Sequence, residues 1–126
     1  MAAKILVIED DESLRELLRL HLSGAGYEVS AAPDAIAAGY LVLKSPPDLI
    51  LVDINMPHMS GFEFVAALKS DKTLPDIPVI FLSSLEEGDT RGKELGAVAY
   101  LRKPVMRDRL LATVAKHVAG GVTPIG

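Results

Sequence analysis

The sequence contains no cysteine and no tryptophan, and aromatic residues make up only 5% of it. Without cysteine the chain can form neither a disulfide framework nor a zinc–thiolate site. The lack of tryptophan and the net charge of −4 argue against a surface that binds nucleic acid. No apolar run approaches the length of a membrane span, and the start Met1–Lys4 lacks the hydrophobic stretch of a signal peptide. We therefore expect a cytoplasmic protein that contacts neither membrane nor nucleic acid directly.

The composition that remains is that of a globular domain. The chain has 126 residues, of which 49% are hydrophobic and 24% are charged, and this is enough for one domain with a proper core. We expect the domain to span residues 1–119. The stretch 120–126 contains three of the ten glycines and is typical of a linker or a frayed end.

The stretch around Asp53 gives the strongest local signal. The apolar run Leu49–Val52 has the length of a buried strand and ends on this one carboxylate, and Pro57 marks a turn soon after. Further strands are predicted at 4–8, 27–30, 79–82 and 98–101, and helical patterns lie between and after the strands. Five strands that alternate with five helices predict a parallel sheet covered by helices on both faces.

Hydroxyl and acidic residues predict where several helices begin. Ser13 with Glu16, and Ser60 with Glu63, have the spacing of a capping box, in which the two side chains satisfy each other's backbone N–H groups. Asp34 is a plausible N-cap for the second helix.

Polar side chains follow four of the predicted strands at the point where each strand ends. They are Glu9, Asp10 and Asp11 after the first strand, Asp53 after the third, Ser83 and Ser84 after the fourth, and Lys103 after the fifth. In an open parallel sheet, ligands bind outside the carboxyl ends of the strands. The sequence therefore predicts one site at this edge, built from acids, hydroxyls and a lysine.

Four motifs at these strand ends carry a family resemblance. They are Ile-Glu-Asp-Asp after the first strand, Leu-Val-Asp-Ile-Asn-Met-Pro around Asp53, Phe-Leu-Ser-Ser after the fourth strand and Tyr-Leu-Arg-Lys-Pro after the fifth. With these motifs in this order, residues 4 to about 118 resemble the receiver domain of two-component response regulators, and in particular chemotaxis receivers. The resemblance implies a flavodoxin-like sheet with strand order 2-1-3-4-5. It also implies that Asp53 accepts a phosphoryl group from a histidine kinase or a histidine phosphotransfer protein.

The resemblance further implies a magnesium site. Asp10, Asp53 and the backbone carbonyl of Asn55 would bind the ion directly, and Glu9 would bind through water. The chemistry of the residues agrees, because crowded carboxylates repel one another and Mg²⁺ prefers oxygen ligands. A carboxylate can also act as a nucleophile and form an aspartyl phosphate.

Other residues receive roles from the same resemblance. Lys103 and the Ser83 hydroxyl would hold phosphoryl oxygens, and the Lys103–Pro104 bond would be cis. Ser83 and Tyr100 would form a switch that changes the face made by the fourth helix, fifth strand and fifth helix. That face would bind a downstream protein or a fused output domain. The chain would catalyse only its own phosphorylation and dephosphorylation.

Some alternatives stay open at this stage. Asp11 is a plausible start of the first helix but could instead contribute to the metal site, and Tyr100 could be an ordinary half-buried strand residue. A phosphatase of the aspartyl-phosphate type would need a second acid two residues after the nucleophile, where this chain has Asn55. A flavodoxin-like redox protein would need a hydroxyl- and glycine-rich phosphate loop after the first strand, where this chain has the acids from Glu9 onward.

Overall fold

The computed structural model describes residues 2–84 and 89–118, and a parallel five-stranded sheet lies at its centre. The strands are β1 (Lys4–Ile8), β2 (Glu28–Ala32), β3 (Leu49–Asp53), β4 (Val79–Ser83) and β5 (Ala99–Arg102). They are arranged in the order β2-β1-β3-β4-β5, and every neighbouring pair is parallel. The predicted α/β class, flavodoxin-like topology and strand order are confirmed.

The helices of the described residues alternate with the strands. They are α1 (Glu12–Gly24), α2 (Ala35–Lys44), α3 (Gly61–Ser70), α4 (Asp89–Glu94) and α5 (Arg107–His117). Within the described ranges, none of these helices is long and apolar enough to cross a membrane. The tail predicted at 120–126 lies outside the described residues.

The sheet is buried on both faces, which explains why its central strands are almost entirely apolar. Neighbouring residues along β1 point to opposite faces, so that Ile5 and Val7 pack under α1 and α5, whereas Leu6 and Ile8 pack under α2 and α3. Every residue of β3 and β4 is buried. The two layers of core hold the strands rigidly, and with them the polar residues at the carboxyl edge.

The predicted starts of α2 and α3 are confirmed, and so is Asp11 as the start of α1, whereas the capping box predicted at Ser13 is wrong. Asp34 accepts a hydrogen bond from the backbone of Ala37, and Ser60 with Glu63 forms a complete capping box. In α1 the N-cap is Asp11, whose side chain accepts from the Leu14 N–H at 3.0 Å, and no Ser13 capping box begins the helix. Aspartate caps a helix as well as serine does, so the helix can begin at Asp11, two residues before Ser13.

The register of the sheet places the functional strand ends side by side. Ile8 pairs with Val52, Asp53 pairs with Leu82, and the last residue of β4 pairs with Arg102. The residues that follow β1, β3, β4 and β5 therefore emerge at one edge.

Candidate functional site

Three carboxylates meet where β1 and β3 end. Glu9, Asp10 and Asp53 each offer an oxygen, and these oxygens lie within 4.8 Å of one another. Glu9 is completely buried and Asp53 is 2% exposed, whereas Asp10 is exposed to solvent. The cluster thus has a buried floor and one side open to incoming ligands, and its oxygen donors are of the kind that Mg²⁺ binds.

Lys103 brings a positive charge to this cluster from the end of β5. Its Nζ lies 3.0 Å from Glu9 Oε1 and 3.3 Å from Asp53 Oδ2. Its own backbone N–H donates to the Ser83 carbonyl at 2.9 Å, and the Lys103–Pro104 peptide is cis. Burial tends to lower the pKa of Lys103, but the carboxylates of Glu9 and Asp53 outweigh it and raise that pKa. The lysine therefore remains charged beside both acids.

Glu9 is a fully buried acid of the site. Burial raises the pKa of its carboxyl to about 7, and the nearby charge of Asp53 adds to the effect. The Asp11 backbone N–H, which donates to Oε2 at 3.1 Å, and the charge of Lys103 act in the opposite direction. The contact of Oε1 with Lys103 is an ion pair without hydrogen-bond angles, so within the described part of the chain this buried oxygen has no hydrogen-bond donor. A second cation beside the cluster would stabilise the charged form of this buried carboxylate.

Asp53 is held in place through its side chain and its backbone. The Asn55 N–H donates to Asp53 Oδ1 at 3.2 Å, while Oδ2 faces Lys103. The Gly61 N–H donates to the Ile54 carbonyl at 2.8 Å, so the start of α3 lies directly against the end of β3. A Cβ added at Gly61 would lie 2.3 Å from the Asp53 carbonyl oxygen. No local sequence pattern predicts this close approach of Gly61 to Asp53.

Ser83 and Tyr100 lie on the neighbouring strands. Ser83 ends β4, is 3% exposed and pairs in register with Arg102. Tyr100 is half-buried on β5, with its ring centroid 5.6 Å from that of Phe81. The tyrosine ring also lies over Gly92 of α4, where an added Cβ would be 2.2 Å from the phenolic oxygen. Tyr100 therefore joins β5 to α4, a contact that no sequence pattern predicts.

Arg15 is a further site residue that sequence reasoning missed. Its Nη1 donates to the Glu9 carbonyl at 2.9 Å and also lies 3.5 Å from the Asp10 carbonyl. An arginine in the first turns of an amphipathic helix is usually a surface residue, so the position of Arg15 in the sequence does not predict a contact with the site. Asp11 is occupied as the cap of α1 and is not one of the three acids that cluster in the described ranges.

Known proteins with this arrangement are numerous. Residues 5–115 match the family model described as the response regulator receiver domain. The chain is 36% identical over 113 residues to the DNA-binding dual master transcriptional regulator RpaA of Synechocystis sp. PCC 6803. This alignment covers 88% of this chain and 47% of RpaA. It is 40% identical over 116 residues to the response regulator PleD of Caulobacter vibrioides, covering 90% of this chain and 26% of PleD.

Solved structures agree with the sequence comparisons. The chemotaxis protein CheY4 of Vibrio cholerae superimposes with a TM-score of 0.87 at 35% identity, covering 93% of this chain and 99% of CheY4. The receiver domain of a histidine kinase from Syntrophus aciditrophicus gives a TM-score of 0.85 at 31% identity, covering 99% and 96% of the two chains. The chain spans about half or less of the length of RpaA and PleD. From the family match and these relatives, the chain belongs to the response regulator receiver domains of two-component signalling.

Proposed function

We propose that Asp53 is the phosphoacceptor of this receiver domain. The observation that carries the proposal is that its carboxylate lies 3.3 Å from the Lys103 Nζ and clusters with the two acids that follow β1. A nucleophilic carboxylate needs a fixed position and a neighbourhood that accepts added negative charge. The Asn55 N–H and the Gly61 contact supply the fixed position, and Lys103 supplies positive charge.

In the proposed reaction one Asp53 oxygen attacks the phosphorus of a phosphohistidine on a partner. A bond between that oxygen and phosphorus forms, the bond between phosphorus and the imidazole nitrogen breaks, and the nitrogen leaves with the electron pair. Because phosphoryl transfer depends on positioning and charge stabilisation, Lys103 and the Ser83 hydroxyl contribute by holding phosphoryl oxygens. The chain thereby assists its own phosphorylation and later hydrolysis, and acts on no external substrate.

Glu9, Asp10, Asp53 and the Asn55 carbonyl are the groups that would hold Mg²⁺. The fit rests on the three converging carboxylates and on the buried Glu9 oxygen, which has no hydrogen-bond donor among residues 2–84 and 89–118. One lysine cannot balance three acids together with a phosphoryl group. When bound, the ion would neutralise the excess negative charge of carboxylates and phosphoryl oxygens.

The signal would leave through Ser83 and Tyr100. A phosphoryl group on Asp53 would draw the Ser83 hydroxyl toward it, and the ring of Tyr100 would move away from Gly92 into the space beside β4. Because Tyr100 joins β5 to α4, this movement would alter the face formed by α4, β5 and α5. A histidine kinase or phosphotransfer protein would be the donor. The readout would be a downstream protein or an output domain joined after residues 1–119 through the segment 120–126.

Intact mass spectrometry of the purified chain with acetyl phosphate and Mg²⁺ tests the phosphoacceptor. We expect one phosphoryl group on the wild type, none on Asp53→Asn, and very little with EDTA or on Asp10→Asn. Asp11→Asn is the matched control, since asparagine caps a helix as well as aspartate does and the change removes one charge from the same acidic run. An equal adduct on Asp53→Asn would refute the assignment, and loss of the adduct in Asp11→Asn would move the metal site by one residue.

A further inference from the structure

Helix α2 has an outer face that resembles a protein interior more than a surface. Between Ala35 and Leu43 it contains no charged residue, and it is apolar around its whole circumference. Ile36, Tyr40 and Leu43 follow one another at helical spacing on the outside and are 69%, 73% and 66% exposed. Contiguous exposed apolar side chains of this size mark interaction surfaces.

A groove runs alongside this stripe. It has a volume of about 490 Å³ and lies between α2 and the start of α3, with Pro57, His58 and Met59 of the preceding loop as one wall. Phe64 and Ala67 of α3 also line the groove. The surface thus offers projecting side chains directly beside a recess that could receive such side chains.

Gly39 is unexplained by packing within the chain. It lies in the middle of α2 and lines the groove, and a Cβ added there would meet nothing within 4 Å. Glycine inside a helix costs stability relative to alanine, and no atom of the described residues requires it here. A glycine at such a position is accounted for when another backbone approaches closely from outside.

The charges at the two ends of α2 indicate which backbone this is. Asp34 caps the amino end and Lys44 lies in the last turn, each five residues from Gly39. If two copies of α2 cross in antiparallel fashion at Gly39, each Asp34 lies about 7 Å along the axis from the crossing, level with Lys44 of the other copy. At each end of the crossing, Asp34 of one copy then faces Lys44 of the other, and the positive end of one helix dipole lies beside the negative end of the other. A two-fold interface requires this kind of self-complementary patch.

We propose that α2 and the groove beside it, lined by Gly39, Tyr40, Leu43 and Met59, form a homodimer interface with a second copy of this chain. In the dimer Gly39 is the crossing point, Tyr40 and Leu43 of each copy enter the groove of the other, and Asp34 pairs with Lys44. This surface is separate from the face of α4, β5 and α5 that carries the proposed signal.

Sedimentation equilibrium of the whole chain tests the proposal, from about 1 µM to about 500 µM so that micromolar and weaker Kd values are covered. We expect a reversible monomer–dimer equilibrium. Tyr40→Glu should raise the Kd at least ~10-fold, as expected for an exposed aromatic at the centre of an interface. Leu20→Glu is the matched control, since Leu20 is 53% exposed on α1 and should leave the Kd within about twofold. Leu43→Glu replaces Tyr40→Glu if the latter does not fold.

Gly39→Ala separates association from a merely structural role. Alanine is the better helix former and has free space here, so the variant should resist urea better than the wild type at concentrations where both are monomeric. The same variant should dimerise more weakly, because the added methyl group lies at the crossing point. Lys44→Glu should also weaken the dimer.

Three results would overturn the proposal. The first is a wild type that stays monomeric over the whole concentration range, even if another protein binds the groove. The second is an equal change of the dimer Kd in Tyr40→Glu and Leu20→Glu. The third is a Gly39→Ala variant that dimerises as tightly as the wild type.

Discussion

Removal of the charge of Glu9 should change how the metal-free protein responds to pH. Its carboxyl has an ordinary pKa of 4.5 in the unfolded chain and a pKa of about 7 in the folded protein, mainly because it is buried. The folded state therefore binds the proton more tightly than the unfolded state does. The resulting stabilisation is complete below pH 4.5 and is lost as the pH rises through about 7.

The magnitude follows from the two pKa values. At about 1.4 kcal/mol for each pH unit, the difference between 4.5 and about 7 corresponds to about 3 kcal/mol. In EDTA, the free energy of unfolding of the wild type should thus fall by about 3 kcal/mol more than that of Glu9→Gln between roughly pH 4.5 and pH 8. Both proteins keep every other titrating residue, so the difference between them reports the titration of Glu9 together with its electrostatic effect on Asp53 and Lys103.

Urea unfolding followed by far-UV circular dichroism measures these free energies. If the wild type and Glu9→Gln lose stability in parallel over this range, the account of Glu9 as a buried, destabilised carboxylate is wrong. Mg²⁺ at ~100 times its Kd should restore about 2.7 kcal/mol to the wild type at pH 8. An equal gain in the stability of Glu9→Gln at the same Mg²⁺ concentration would show that Glu9 takes no part in holding the ion.

Two glycines give further predictions. Gly61→Ala should destabilise the fold by about 2 kcal/mol and slow phosphorylation. The new methyl group would clash with the Asp53 carbonyl, and both partners in this contact are main-chain segments that cannot move apart easily. Urea unfolding and the rate of adduct formation check this, and Gly24→Ala, where an added Cβ meets nothing within 4 Å, should leave both nearly unchanged. Gly92→Ala should displace the Tyr100 ring without blocking phosphorylation, and the shifts of the Tyr100 ring protons in NMR spectra would report it. If those shifts are unchanged, Gly92 does not seat the ring.

The fold could be predicted from the sequence because its strands are short, apolar and bounded by turns. β3 and β4 are buried on both faces, and such strands are almost continuously hydrophobic, which makes them easy to recognise. Because alternating strands and helices predict a parallel sheet, the residues that follow the strands had to share an edge. Glu9, Asp10, Asp53 and Lys103 were therefore predictable as neighbours, and the structure brings them together.

Close approaches between distant segments could not be predicted in the same way. The contacts of Gly61 with the Asp53 carbonyl and of Gly92 with Tyr100 depend on how helices settle against the sheet, which no local pattern encodes. The capping box predicted at Ser13 was wrong because Asp11, the other start that the sequence allowed for α1, lies two residues earlier. The choice between these two caps depends on the path of the chain after Glu9.

Localisation of the phosphoryl group shows directly whether Asp53 is the phosphoacceptor. The chain is phosphorylated with acetyl phosphate and Mg²⁺, the acyl phosphate is trapped by reduction with borohydride, and the modified residue is identified by tandem mass spectrometry of peptides. The account predicts modification of Asp53 alone, with Asp10 and the other carboxylates unmodified. Modification of another residue in the wild type, with Asp53 intact, would contradict it.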